Sequence, residues 1–243
     1  MWTPTTESLL AAWDSGRRQS SAARGITLLQ IGFPESPRAS LAEITVGERD
    51  RRLLALRQAV FGASAPALTA CPYCGERLEL DLPLAEFQLS SADCPQTEVL
   101  DREGYRIRFR LPRSRDLLGL ARDGDMASAA RLLFERCVES VERDGDLIER
   151  EAIPDALASA IASRLEEMDP QGDIGFELAC PACSTRWRAV FDIVSFLWTE
   201  LDAWAGRLLR QVHTLASAYG WRESEILAMS ASRRDFYLDL VSG

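Results

Sequence analysis

The sequence predicts an α+β fold that is mainly helical, with a small β region split into two distant halves by a helical insertion. Three observations favour this fold: two matching cysteine pairs lie far apart, alternating strand patterns accompany them, and apolar residues at helical spacing fill most of the remaining chain. With 47% hydrophobic and 27% charged residues, the 243-residue chain can bury a core and does not have a disordered composition.

The two cysteine pairs share the pattern C-P-x-C, at Cys71-Pro72-Tyr73-Cys74 and Cys180-Pro181-Ala182-Cys183. Two residues between the cysteines let one tight turn aim both sulfurs at one metal, and two such turns complete a tetrahedral S4 shell around zinc. A shell of this kind leaves no position for water or substrate, so we predict a structural zinc site. The alternatives are disulfides, which need an oxidising compartment, and a redox C-x-x-C, which is expected near a βαβ pattern.

The distance between the two pairs is unusual for a zinc ribbon. Between Cys74 and Cys180 lie 105 residues, whereas compact zinc sites of this type have roughly 15–20. Closing so long a loop costs about 4 kcal/mol, while structural zinc supplies on the order of 10–16 kcal/mol in small peptides. A shared zinc ion can therefore hold the two halves together.

The residue after each pair differs, since Gly75 follows the first and Ser184 follows the second. If this position requires a left-handed backbone, serine costs about 1–2 kcal/mol there.

The N-terminal third is predicted to be helical around a loop. Thr3-Pro4 is typical of a helix N-cap followed by proline at the first helical position, and residues 15–40 predict a loop with a brief strand at 26–33. An amphipathic helix is predicted at 48–61, ended by Gly62, with three arginines at its polar positions. These arginines are Arg49, Arg52 and Arg57.

The remaining elements follow from the same patterns. They are strands at 77–82 and 105–111, one or two helices over 116–141, a helix over 154–168, a hairpin with strands at 176–178 and 187–191, a long helix over 192–219, and short helices at 223–229 and 232–241.

Five segments result. They are an N-terminal helical segment (1–66), the first half of the zinc-ribbon and β region (67–112), a helical insertion (113–170), the second half of the zinc ribbon (171–191) and a C-terminal helical segment (192–243).

The strand at 105–111 also predicts a candidate partner surface. Alternation places Tyr105, Ile107, Phe109 and Leu111 towards a core, and it places Arg106, Arg108 and Arg110 outwards. This arginine face is either an ordinary solvated surface or a contact for an acidic partner. A net charge of −9 argues against general nucleic-acid binding, which depends on phosphate contacts.

The other reactive side chains favour no enzyme. Cys94 and Cys137 have no C-x-x-C partner and are interpreted as ordinary thiols, with Cys137 buried in an apolar helical stretch. His213 is the single histidine, and neither a phosphate loop nor a nucleophile–base pair is visible. The richest apolar run, at 190–198, is too short to span a membrane, and the N-terminus lacks the pattern of a signal peptide. We therefore expect a soluble cytoplasmic protein.

Several separated stretches of the chain together form a recognisable pattern. They are Gly47-x-Arg49-Asp50-x-x-Leu53-Leu54-x-Leu56-Arg57 with Phe61-Gly62; Tyr105-x-Ile107-x-Phe109-Arg110-Leu111-Pro112; Asp169-Pro170-Gln171; Cys180-Pro181-x-Cys183; Phe191-Asp192-Ile193-x-Ser195-Phe196-Leu197-Trp198; and His213-x-Leu215-Ala216-x-x-Tyr219-Gly220-Trp221 with Ile226-Leu227 and Arg233-Arg234-x-x-Tyr237-Leu238.

This pattern resembles the baseplate hub assembly chaperone family of T-even-like phages, in the branch found with phage-derived contractile injection systems. The resemblance implies a cytoplasmic, non-enzymatic factor that binds a baseplate hub or spike protein and helps it assemble. The alternatives are a structural baseplate component that stays in the particle and a zinc-ribbon adaptor for nucleic acid. The resemblance leaves the client protein and the oligomeric state open.

Overall fold

The computed structural model describes residues 4–87, 95–120 and 126–242 and has the predicted α+β character. The helices in these ranges are α1 (Thr6–Gly16), α2 (Ser21–Gly32), α3 (Arg38–Ala42), α4 (Val46–Phe61), α5 (Met126–Cys137), α6 (Asp155–Met168), α7 (Ile193–Tyr219), α8 (Glu223–Leu227) and α9 (Ala231–Ser242). The strands are β1 (Pro66–Ala70), β2 (Arg77–Asp81), β3 (Thr97–Arg102), β4 (Tyr105–Arg110), β5 (Val138–Arg143), β6 (Asp146–Leu147), β7 (Gly175–Ala179) and β8 (Arg186–Val190).

Helix α1 is capped by Thr5, not by the predicted Thr3, which lies outside the described residues. The Thr5 hydroxyl accepts a hydrogen bond from the Ser8 backbone, and the Ser8 hydroxyl accepts one in return from the Thr5 backbone. This reciprocal capping box satisfies two amides at the helix start. It replaces the proline-based start that the sequence predicted.

The predicted loop over 15–40 with a strand at 26–33 is wrong, because helix α2 occupies Ser21–Gly32 and Phe33 is its C-cap. The Ser20 hydroxyl caps the helix by accepting from the Ala23 backbone N–H. Most of the following side chains are buried, Ile26 and Leu29 among them, so the apolar run shows no amphipathic period. A short continuous apolar run does not distinguish a buried helix from a buried strand.

The main core lies between the N-terminal helices and α7. Leu53 and Leu54 of α4 pack there with Leu197 and Leu201 of α7, as part of a cluster to which α1 and α2 also contribute. This arrangement confirms the amphipathic helix around 48–61 and the long helix over 192–219, which ends at Gly220 in the left-handed conformation (φ 67°).

Two arginines of α4 were assigned wrongly to its polar surface. Arg57 is 1% exposed, with its guanidinium hydrogen-bonded to Glu200 of α7 and to the Gly62 carbonyl. Arg49 is also buried, and it pairs with Asp50. A buried arginine requires paired acceptors of this kind. The acceptor of Arg49 is its neighbour in α4, whereas Glu200 lies on α7, which the periodicity of α4 does not reveal.

A second core forms around an antiparallel sheet of order β3-β4-β5-β6. Ile107 of β4 and Val141 of β5 pack there against Leu157 and Ile161 of α6. Strand β5 lies in the stretch 116–141 that was predicted to be helical, so that prediction is wrong beyond α5. The insertion at 113–170 accordingly contains strands as well as helices.

A β-bulge accounts for this error. The β4–β5 register shifts between Arg108 and Phe109, so that Phe109 pairs with Val138 while Arg108 pairs with Ser140. Glu139 is the extra residue. Val138 and Val141 are then both buried at a spacing of three residues, which imitates helical periodicity.

Two stretches of the sequence pattern meet in space at the start of α4. The Gly47 backbone N–H donates to Asp169 Oδ2 over 2.8 Å. A Cβ atom on residue 47 would lie 1.8 Å from the other Asp169 carboxylate oxygen, so only glycine fits. The end of α6 is thereby attached to the N-terminal core.

Candidate metal centre

The two cysteine pairs lie in two matching β-hairpins. In the first hairpin, β1 and β2 are joined by the first cysteine turn, residues 71–76. In the second hairpin, β7 and β8 are joined by the second cysteine turn, residues 180–185. The hairpin predicted around the second pair is confirmed, as is the alternating strand after the first pair.

The backbones of the two cysteine turns make the same hydrogen bonds. In the first, the Cys71 N–H donates to the Glu76 carbonyl and the Gly75 N–H donates to the Cys71 carbonyl, over 2.8 and 2.9 Å. In the second, Cys180 and Ser184 donate to Thr185 and Cys180 in the same way, both over 2.9 Å. Two unrelated segments thus adopt one conformation, which directs both sulfurs of each pair to the same side.

The fifth residue of both turns is left-handed. Gly75 has φ 77° and Ser184 has φ 60°. A Cβ atom at residue 75 would meet no neighbour within 4 Å, so the preference for glycine there comes from the backbone and not from crowding. The conditional penalty for Ser184 therefore applies, at about 1–2 kcal/mol.

The structure brings the four predicted cysteines together. Their Sγ atoms all lie within 4.8 Å of one another. The Cys71 and Cys183 sulfurs are 3.7 Å apart, and the Cys74 and Cys180 sulfurs are 3.5 Å apart, so both close contacts join one hairpin to the other.

These distances fit a metal better than a disulfide. A tetrahedron with Zn–S bonds of about 2.3 Å has sulfurs roughly 3.8 Å apart, whereas disulfide sulfurs are about 2.0 Å apart. All five cysteines among the described residues are free thiols. The donor set and its spacing are therefore compatible with one structural metal ion bound by both hairpins.

One cysteine of each pair is buried and the other is exposed. Cys71 and Cys180 are each 2% exposed and form a small cluster with Leu78, which Trp187 covers. Cys74 and Cys183 face solvent. Cys71 and Cys180, the inner cysteines, thus pack against apolar side chains. Cys74 and Cys183, the outer cysteines, lie on the solvent side of the cluster.

The two outer cysteines have opposite pKa shifts as free thiols. Hydrogen bonds from the Thr185 side chain and backbone lower the pKa of Cys183 to about 6. The Glu76 backbone lowers the pKa of Cys74, but hydrogen bonding with Cys180 raises it, and the resulting pKa is about 12. A cation bound by all four sulfurs would hold each of them as thiolate.

The predicted arginine face must be corrected, because it contains two exposed arginines and not three. Arg106 and Arg108 are exposed, but Arg110 is 8% exposed. Its guanidinium donates to Asp116 over 2.6 Å and to the Arg136 carbonyl over 2.8 Å. The 3-10 turn Ser114–Leu117 and the end of α5 cover this part of β4, which alternation along a single strand cannot reveal.

Of the other reactive side chains named from the sequence, Cys137 and His213 are described and lie outside the cysteine cluster. Cys137 is buried as predicted, and burial raises the pKa of its thiol to about 11. His213 is exposed on α7. Cys94 lies outside the described residues.

Sequence reasoning missed a groove of about 1020 Å³ that both hairpins line together with the first turns of α7. Leu68 of β1 and Val190 of β8 line it and are 62% and 66% exposed. The one signal in the sequence was an apolar residue at an outward position in β1 and in β8. Because the hairpins are far apart in the chain, no local pattern indicates that these residues share a groove.

The comparisons with known proteins identify one family. A family model described as T4 bacteriophage base plate protein matches residues 8–198. This range includes both hairpins, the sheet and the first turns of α7. The search of curated proteins gave no match, and neither did the search of solved structures. Among the helices of the described ranges, none has the length and apolar character needed to cross a membrane.

Proposed function

The chain belongs to the T4 bacteriophage base plate protein family, and we propose that within a baseplate system it acts as a non-enzymatic assembly chaperone. Its client would be the hub or spike protein of a contractile, phage-tail-like particle. Membership in the family supports a role associated with the baseplate. The family match is the observation that carries the proposal, because it covers the folded core and not an isolated motif.

The metal centre supports a binding role over a catalytic one. Four sulfurs saturate a tetrahedral ion, so no coordination position is left for water or substrate. We infer that the ion is Zn²⁺ and that its work is structural. It fixes the two hairpins to each other, and the second hairpin leads through Asp192 directly into α7 of the main core.

The proposed mechanism is the retention of an assembly-prone subunit on a rigid surface. Hub and spike proteins expose interfaces that are meant for other subunits, and exposed apolar surface favours aggregation. A surface that covers such an interface until assembly prevents aggregation and keeps the subunit able to assemble. The fixed position of the two hairpins offers a surface of this kind.

The metal is tested by elemental analysis and X-ray absorption of metal-replete protein. We expect close to one zinc per chain, with sulfur neighbours at about 2.3 Å. Cys137→Ser is the matched control, because this buried thiol lies outside the cluster and its loss should leave the zinc content unchanged. Four sulfurs found as two disulfides would exclude the metal centre.

The chaperone role is tested by co-expression and by the composition of purified particles. We expect the chain to co-purify with a hub or spike protein from cells and to be absent from finished particles on mass spectrometry. Without the chain, the client should shift to the insoluble fraction. A fixed number of copies in every finished particle would identify a structural baseplate component instead.

A further inference from the structure

We propose that the groove between the two hairpins binds an extended segment of a baseplate protein, in which apolar residues alternate with arginine or lysine. This inference deepens the proposed function, on which the identity of the partner as a baseplate protein rests. The chemistry of the segment rests on the groove alone.

The walls of the groove are apolar and come from three separate elements. Side chains from both hairpins and from α7 line it. They include Leu68, Leu80, Phe176, Leu178, Val190 and Phe196. Leu68 and Val190 keep most of their surface exposed, and exposed apolar residues that gather in one groove are typical of binding sites.

The charged side chains that line the groove are all negative. Among the described residues that line it are four carboxylates and no arginine, although the whole chain has 28 basic residues. The carboxylates are Glu79, Asp81, Asp192 and Glu200. Two are already engaged, since Asp192 caps α7 and Glu200 pairs with buried Arg57.

The negative charge that remains available to a partner comes from Glu79 and Asp81 of β2. Both are exposed. Asp81 accepts a hydrogen bond from the Ala65 backbone, and within the described part of the chain neither residue forms an ion pair with an arginine. An apolar groove with unneutralised carboxylates on one wall is complementary to a segment that carries both apolar and cationic side chains.

The strands of the groove favour an extended occupant. Within the described ranges each hairpin is a two-stranded sheet, so every strand in it is paired on one side only. Strands with unpaired edges accept an additional strand through main-chain hydrogen bonds, while side-chain pockets give selectivity. In such a segment, alternation directs one set of side chains to the apolar residues of the groove and leaves the other set available to the exposed Glu79 and Asp81.

The binding test uses a short fluorescein-labelled peptide of alternating valine and arginine, measured by fluorescence polarisation. Metal-replete native protein should bind it at least about tenfold more tightly than the same peptide with glutamate in place of arginine. Binding should weaken as salt is added, because part of the attraction is electrostatic. Equal binding of the two peptides would overturn the charge assignment.

The location is tested with the double variant Leu68→Arg/Val190→Arg. It should weaken binding of the basic peptide at least about tenfold, because it removes apolar contacts and adds cationic repulsion. The matched control is Leu147→Arg, since Leu147 is 76% exposed on β6 and does not line the groove. Circular dichroism and thermal melting should show that both proteins are folded. Unchanged binding by the double variant would overturn the location.

A second variant, Glu79→Arg, tests the same wall without altering any apolar residue. It should weaken binding of the basic peptide and strengthen binding of the acidic peptide. If it changes neither, the carboxylate wall is not part of the site.

Co-expression with the hub or spike protein separates this inference from the proposed function. If the native chain and the Leu68→Arg/Val190→Arg variant both retain the client, the groove inference fails while the chaperone role stands. If the native chain retains no client, the chaperone role fails, and the peptide measurement alone decides the groove. A concentration-dependent dimer that the double variant abolishes would show a second copy of this chain in the groove and would overturn the inference.

Discussion

The two cysteine turns have one geometry but different residues at the left-handed position. Gly75 adopts φ 77° without a steric penalty, whereas Ser184 adopts φ 60° although it has a Cβ atom. The hydrogen bonds of the two turns match in partners and in length. The first turn is therefore favoured by its own residues, whereas the second depends on stabilising contacts outside the turn. A metal ion bound by the four clustered sulfurs would be an attachment that both turns have in common.

The largest effect is expected when the shared centre is broken. Cys180→Ser in the second turn should lower the free energy of unfolding by about 4 kcal/mol or more, because it removes one of the four sulfurs that would bind the proposed metal. Hydrogen exchange should rise around both 71–82 and 176–191, since each hairpin would hold the other through the proposed metal.

The control for this experiment is Cys137→Ser, which changes a cysteine that is equally buried but lies at the end of α5, next to β5. Its effect on exchange should be confined to the region of α5 and β5. If exchange in Cys180→Ser rises only around 176–191, the two hairpins do not share a metal and the comparison of the turns loses its basis.

An intermediate effect is expected from exchanging the residues that distinguish the turns. Gly75→Ser should lower the free energy of unfolding by about 1 kcal/mol, because it introduces the left-handed penalty into the first turn. Ser184→Gly should raise it by less than about 1 kcal/mol, because part of the gain is offset by the greater freedom of glycine in the unfolded chain.

Denaturant unfolding of metal-replete protein measures both changes. Ser184→Ala serves as the reference, since alanine keeps the Cβ atom and should leave the backbone penalty in place. Effects of the same sign for Gly75→Ser and Ser184→Gly would show that side-chain contacts, and not backbone conformation, decide the preference at this position.

The smallest expected effect is a difference in alkylation rate between the two outer cysteines, Cys74 and Cys183, in metal-stripped protein. The pKa of Cys183 is lowered to about 6 by Thr185, and that of Cys74 is raised to about 12. The thiolate is the reactive form, so at pH 7 iodoacetamide should alkylate Cys183 before Cys74. The rate at Cys183 should fall as the pH is lowered through 6, where the thiolate gains a proton.

Thr185→Val is the matched variant, because it removes the hydroxyl that lies 3.3 Å from the Cys183 sulfur and keeps a similar shape. It should raise the pKa of Cys183 and reduce the difference between the two rates, as measured by peptide mass spectrometry. Equal rates in the unchanged protein would contradict the asymmetry between the hairpins.

Local chemistry made the two cysteine turns predictable. Four cysteines in two C-P-x-C pairs specify their turns through short-range geometry, and a four-sulfur donor set specifies the class of ion. Long helices with a regular apolar seam, such as α4 and α7, were predictable for the same reason. The elements predicted wrongly were those in which long-range packing changed the pattern. Thus α2 is buried on most sides, and a bulge shifts the pairing of β5.

The sequence by itself determined the two cysteine turns and the long helices α4 and α7, because each depends on residues close together in the chain. Only the tertiary structure decided that Arg110 is buried by Asp116 and that Gly47 meets Asp169. It also decided that the two hairpins border one groove. These features depend on segments that are far apart in the chain. Their contacts form only when burial of the common core compensates the entropy of closing the intervening loops.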